Sequence, residues 1–289
     1  MNSICKKRVH LLDGLMYGLI YLCAAISVFL ITGIVLYVIA KGIDKVNWEF
    51  LTTTTSVLKG TVGIAGNILN TLYIIVLTML LATPIGVGAA IYLNEYAKPG
   101  KLVNMIELAT ETLSGIPSII FGLFGMMFFG ETLGLGYSIL TGTFTLTLMV
   151  LPLITRNTQE ALKTVPNSYR NGAIGLGAGK WYMIRTILIP SALPGVITGV
   201  ILAIGRIVGE SAALLYTAGS GALLPSNGQG YFDKIFQSGG TLTIQLYLSM
   251  SKGEYDVAYG VALVLLVIVL LINLVTKYIA KKFDVNRLR

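Results

Sequence analysis

Residues 156–190 read RNTQEALKTVPNSYRNGAIGLGAGKWYMIRTILIP, a polar, basic interval between two long apolar runs. Connections in compact folds usually span about 2–8 residues, so an insert of this length is expected to be structured and to have a task. It carries Arg156, Lys163, Arg170, Lys180 and Arg185. The flanking runs decide the fold class. A spanning helix needs about 20 mostly apolar residues, and six stretches qualify: 15–40, 70–93, 106–130, 137–154, 191–216 and 257–279. The expectation is an all-α, polytopic membrane protein with six transmembrane helices, residues 1–289 forming one transmembrane domain. The third and fourth spans are the least regular, because Glu107 and Glu111 open one and threonines crowd the other.

Composition agrees. The chain is 55% hydrophobic and 12% charged, against about 25% charged in soluble globular chains. Its net charge of +8 is scattered between apolar runs, which points to bilayer orientation rather than to nucleic acid. Six spans place both termini on one side. That side collects Lys6, Lys7, Arg8, Lys98, Lys101, the five cations of the insert, and Lys277, Lys281, Lys282, Arg287 and Arg289. The other holds Lys41, Lys45, Lys59, Lys234 and Lys252. Termini and insert are therefore expected in the cytoplasm, with the chain in the cytoplasmic (inner) membrane. The run after KKR at 6–8 is too long for an ordinary signal peptide and reads as an uncleaved first span. Cys5 and Cys23 are not expected to pair. The lone His10 leaves no metal-ligand cluster, so no catalytic or metal site is expected and a membrane enzyme is set aside.

Two connections on the side opposite the insert are long. Residues 41–66 place Trp48 and Phe50 where aromatic side chains favour the membrane interface. Residues 218–255 begin with a turn-rich piece and continue with a stretch able to form a short helix on or in the membrane. An irregular loop is the default expectation for both.

Within the insert, Pro166 breaks the helical run, Asn167 or Ser168 is expected to cap a helix starting near Tyr169, and Gly175, Gly177 and Gly179 end it. A second helix then leads from Lys180 to Pro190. This helix–turn–helix would carry Gly172, Ala173 and Gly177 as small surface residues that let a partner approach; a solvated amphipathic loop is the plainer alternative. GLGAGKW at 175–181 imitates a phosphate-cradling loop, G-x-x-x-x-G-K-[ST]. Ile174 occupies the first glycine position and Trp181 replaces the magnesium-holding hydroxyl. No cofactor is expected on this chain, and any ATP would be handled by another subunit.

The insert resembles the cytoplasmic loop of ABC importer permeases, whose pattern is E-A-A-x3-G-x9-I-x-L-P. Here the positions are Asn171, Gly172, Ala173, Gly177, Ile187, Ile189 and Pro190. The resemblance implies a type I permease fold and docking of an ATPase through Tyr169, Asn171, Gly172, Ala173, Gly177, Trp181 and Pro190. Asn171, in place of the family's glutamate, implies a weaker, uncharged contact. Residues 191–219, SALPGVITGVILAIGRIVGESAALLYTAG, look like the fifth span of phosphate-import permeases of the PstA type, usually A-R-x-x-G-E-[TS]-A-P-L-L, with Ala213 replacing the proline. Similarity extends to 71–97 and to 111–125, whereas the G-E-T-M-A-V of the companion PstC type is missing. The resemblance implies phosphate as cargo, a PstC-type permease partner, two PstB-type ATPases holding ATP and Mg, and an extracytoplasmic PstS-type phosphate-binding protein.

Arg206 and Glu210 are expected on one helix face, four residues apart. Each costs about 2.5–3.5 kcal/mol at the bilayer centre on insertion scales, so both should face the bundle interior. One reading is a salt bridge that neutralises itself. The other is a guanidinium fork for a tetrahedral oxyanion, oriented by a carboxylate that accepts from a protonated phosphate and repels sulfate. Arg156, in RNTQEAL where related permeases often read R-T-T-E-E-A-L, is either an inner stop on the anion path or a snorkelling anchor. Ser114, Pro117 and Ser118 lie in a span interrupted by proline and glycine, and are pathway lining or a simple kink. The rival functions are an ABC permease for molybdate or sulfate, and an ion-coupled secondary transporter using Arg206 and Glu210 as a proton relay.

Overall fold

The computed structural model describes residues 11–56, 61–224, 230 and 232–282. The N-terminal cations with Cys5 and His10, as well as Lys59, Arg287 and Arg289, lie outside these residues.

The chain opens with α1 (Leu11–Gly42), a short α2 (Trp48–Thr52) and a hairpin of β1 (Thr54–Ser56) and β2 (Thr61–Ile64). Next come α3 (Ala65–Ile91), drawn out by a π turn over Tyr92–Tyr96, then α4 (Lys101–Gly115) and α5 (Ser118–Gly125), the latter extended by a π turn over Met126–Thr132. α6 (Ile139–Lys163) precedes the hairpin of α7 (Asn167–Gly175) and α8 (Lys180–Met183), which runs through a π turn at Ile184–Leu188 into α9 (Ile189–Val208). The chain closes with α10 (Ala212–Thr217), a 3-10 turn at Asp233–Phe236, α11 (Leu242–Ser251) and α12 (Tyr255–Lys282). Among the described residues, five helices are long and apolar enough to cross a membrane, and the α4–α5 pair makes a sixth unit bent by 103°.

The third span is two helices, because Pro117 cannot supply the backbone donor that would join them. The fourth runs to Lys163, so Arg156 lies inside a helix rather than opening a loop. The fifth stops at Val208, and residues 209–211 separate it from α10. Pro190 does not end a helix. It occupies the first turn of α9, and the π turn just before it absorbs the hydrogen bond that proline lacks.

Glycines bring three helices close. A Cβ at Gly86 of α3 would lie 2.8 Å from Ile154 Cγ2, and one at Gly199 of α9 2.7 Å from Asn157 Cβ, both on α6. Gly195 packs on Ala161 of the same helix. In lipid such contacts replace the hydrophobic drive that water supplies. Ile74, Ala82, Leu146, Val150, Ile154 and Ala203 fill the seam. Thr143, Thr145 and Thr147 of α6 are buried, and each donates to the carbonyl four residues back, at 2.8 Å.

At the end away from the insert, the long connections are ordered in the described parts. Phe50 is buried with Ile64, Leu242 and Val261, so it is core and not an interface anchor, whereas Trp48 is exposed. Buried Asn67 and Asn70 both donate to the Gly240 carbonyl, at 3.0 and 3.1 Å, which pins the connection after α10 onto α3. The short helix expected in 218–255 is α11. α1 meets the bundle only near its end, where Gly42 packs against Tyr259.

α5 and α10 touch through Gly122, whose added Cβ would sit 2.8 Å from Ala213 Cα. Gly122→Val should therefore lower stability by about 1–3 kcal/mol through overpacking, read as a fall in the unfolding midpoint in detergent. Lys234, buried beside the Ser238 carbonyl at 3.5 Å, has its amine held below the ordinary 10.5 by desolvation. The unfolded chain then binds more protons between the lowered value and 10.5, so stability rises with pH across that window. Melting curves from neutral to alkaline pH should show the rise, and Lys234→Met should flatten it.

Candidate functional site

α6 and α9 run antiparallel, since Gly195 meets Ala161 and Gly199 meets Asn157. Arg206 lies seven residues beyond Gly199, roughly 10 Å along the axis at 1.5 Å per residue. That puts it level with the middle of α6. On the helix it continues the line of Gly195 and Gly199, while the neighbouring Gly205 faces open space. Arg206 is half-buried and has no hydrogen-bond or ion-pair partner among the described residues. A guanidinium in this position keeps its five donors free for an incoming group.

Glu210 is not its partner. The helix ends before it, so the four-residue spacing does not produce a shared face. The carboxylate instead turns forward: Glu210 Oε1 accepts from Ala213 N at 3.1 Å, capping α10. The Glu210 carbonyl accepts from Thr243 Oγ1 of α11 at 2.8 Å, which satisfies a backbone group freed by the break. Beside the break lies a cavity of about 150 Å³ lined by Ile119, Ser211, Ala212, Leu215, Tyr216, Ile244 and Tyr247. Ser118, Glu210 and Arg206 are not among its lining residues, although Ser118 and Glu210 adjoin Ile119 and Ser211 in sequence. Both broken helices, α5 and α10, start here.

Arg156 belongs to a different place. It lies near the insert end of α6 and donates to Glu111 Oε1 of α4 at 3.3 Å, with both side chains more than 60% exposed. Glu107, Glu160 and Lys163 share this cleft of about 170 Å³. Ser114 is exposed and donates to the Glu111 carbonyl at 2.7 Å, and Pro117 is exposed at the bend. The six pathway candidates therefore fall into separate groups rather than one pocket.

The insert is a helical hairpin. α7 begins at Asn167 after Pro166, without a side-chain cap, and closes through Gly177, whose φ of +80° suits glycine. Asn171, Gly172, Gly177, Tyr169 and Trp181 are exposed, and Ile174 and Leu176 add apolar surface, Leu176 at 91% exposure. Ala173 was expected on that surface and is buried among Leu162, Val165, Met183 and Leu188. Pro190 is half-buried below the hairpin.

Residues 82–286 match the family described as the binding-protein-dependent transport system inner membrane component. The chain belongs to this family. It is an ABC importer permease, a multi-pass protein of the inner membrane. It is 36% identical over 288 residues to the probable ABC transporter permease protein YqgI of Bacillus subtilis, covering 95% of this chain and 98% of that one. It is 31% identical over 281 residues to the phosphate transport system permease protein PstA 2 of Mycobacterium bovis, covering 96% and 90%. Among solved structures, a bacterial alginate ABC transporter aligns with a TM-score of 0.69 at 16% identity, covering 94% of this chain and 96% of that chain. At that identity the match speaks to the fold alone.

Two contacts around the candidate residues are not signalled by the sequence. The brace from Thr243 to Glu210 joins residues 33 apart, and no local signal marks it. The pairing of Glu111 with Arg156 joins residues 45 apart, again with no local signal. Thr243→Val should cost about 1 kcal/mol, the worth of one buried hydrogen bond, and show as a lower unfolding midpoint in detergent with the helical signal unchanged.

Proposed function

We propose that this chain is the PstA-type permease subunit of an ATP-driven importer of inorganic phosphate, oriented with its termini and insert in the cytoplasm. The observation that carries the reading is Arg206, a half-buried guanidinium level with the middle of α6 and free of protein partners among the described residues. A partly desolvated fork of this kind favours a tetrahedral oxyanion over neutral solutes. The similarity to a phosphate transport permease supports phosphate as the anion. Glu210, set just past the helix break, caps α10 through one oxygen; its other oxygen would accept from a phosphate hydroxyl, and its charge disfavours sulfate. Arg156, already answered by Glu111, would serve as an inner step that passes the anion on by exchanging partners.

In this assembly the chain pairs with a PstC-type permease, two PstB-type ATPases that bind ATP and Mg, and a PstS-type extracytoplasmic phosphate-binding protein. The surface of Tyr169, Asn171, Gly172, Leu176 and Trp181 is the ATPase docking face. No nucleotide is handled by this chain. ATP-driven displacement of the hairpin would tilt the spans and open the Arg206 level to one side and then the other, a shift that needs a differential interaction with the two states.

Two measurements test this. Arg206→Gln should abolish high-affinity phosphate uptake in cells, with at least a tenfold fall in rate, while the chain still inserts and melts normally; full uptake would defeat the proposal. Glu210→Gln keeps an oxygen to accept from Ala213, so it removes charge without removing the cap. Uptake by this variant should become more sensitive to competing sulfate, and unchanged discrimination would remove Glu210 from selection.

A further inference from the structure

Arg170 sits at the first turns of α7 with only 17% of its side chain exposed, and Glu95, in the π turn that ends α3, with 6%. Arg170 Nη2 donates to Glu95 Oε1 and to the Leu162 carbonyl, each at 2.9 Å. Its Nη1 donates to the Val165 carbonyl at 2.8 Å and to Asn167 Oδ1 at 3.3 Å. Glu95 is held in turn by Asn94 Nδ2 at 2.6 Å. One guanidinium thus ties the end of α3, the last turn of α6 and the start of α7. Lys180 adds a second tie, its ammonium 4.7 Å from the centre of the Tyr96 ring.

A buried ion pair is a poor source of net stability, because desolvation offsets most of the attraction. It does set geometry, since breaking it strands a charge. Apart from this pair, α7 meets the bundle through the small Ala173, and the rest of its surface is exposed. A helix held so lightly would slide under load unless something stiffer connected it. The root that leads from the hairpin into α9 carries a π turn, Ile184–Leu188, and so does the end of α3 gripped by the ion pair, Tyr92–Tyr96, a distortion that recurs at functional positions.

We propose that Arg170 and Glu95 are positioning residues that transmit displacement of the α7–α8 hairpin to α3 and α6. This rests on the ATPase-docking reading of the hairpin given above. Force applied to the exposed face of α7 reaches α3 through the ion pair and α6 through the Leu162 carbonyl, with the Val165 carbonyl holding the turn between them. α3 and α6, locked at Gly86, then move together. Arginine is required for this because lysine cannot reach four acceptors in three directions from one point charge.

The test uses the complete transporter in proteoliposomes, measuring phosphate moved per ATP hydrolysed for Glu95→Gln, Arg170→Lys and the double variant Glu95→Leu/Arg170→Met. The double variant removes both charges, so it should fold even where a single change strains the site. Expected are ATPase subunits retained on purification, basal ATP hydrolysis within about twofold, and phosphate per ATP reduced at least tenfold. Spin labels on α7 and on the outer part of α3 supply a readout independent of cargo. With ATP, both should move in the unaltered complex and only the α7 label in the variants. An unchanged transport ratio with both labels moving would overturn the inference. So would loss of the ATPase from Glu95→Gln, since the pair would then serve assembly alone. If the unaltered complex moves its labels with ATP but carries no phosphate, the cargo reading fails while the transmission role stands.

Discussion

The closeness of α6 to its neighbours on both sides governs this molecule. Gly86, Gly195 and Gly199 let α3 and α9 approach to distances at which an added methyl would collide with Ile154, Ala161 or Asn157. In a bilayer, where lipid tails are as apolar as leucine, that fit is what holds helices together. It also fixes the depth of Arg206, because the register of α9 against α6 sets how far along the bundle the guanidinium comes to lie. The depth of this guanidinium is thus a consequence of packing further along the same interface.

The helix breaks follow from a second constraint. Backbone groups released inside a membrane protein must be satisfied by protein or by water in a cavity. At 209–211 the chain meets this with the Glu210 carboxylate on Ala213 N and the Thr243 hydroxyl on the Glu210 carbonyl. Half-helices that begin at the same small cavity are a common way for transporters to bring polar groups to mid-depth without exposing them to lipid. Here the carboxylate has a different partner, and Arg206 has none among the described residues.

Much of the fold was legible because a spanning helix announces itself by length and apolarity alone, and the glycine and proline spacing of 171–190 carried the family. Boundaries were less so. A change from apolar to polar at Arg156 was read as the end of a helix, yet α6 continues to Lys163, since leaving the bilayer does not oblige a helix to stop. The break after Val208 was hidden because Gly209, Glu210 and Ser211 are all tolerated in helices, and only contact with α11 shows otherwise. The same holds for partners distant in sequence: Glu95 and Arg170 are 75 residues apart, Ala173 has a surface residue's neighbours in sequence, and Phe50 sits beside the exposed Trp48. Each was decided by three-dimensional neighbours that periodicity does not encode.

The back-bonded hydroxyls of α6 have a meaning of their own. A tally of hydroxyl side chains would mark this as the wettest span in the bundle. Thr143, Thr145 and Thr147 are buried and spend their protons on their own helix, so none of these protons is left for a neighbour. This face of the helix therefore offers no ladder of donors, and polar recognition inside the bundle would fall to charged side chains instead.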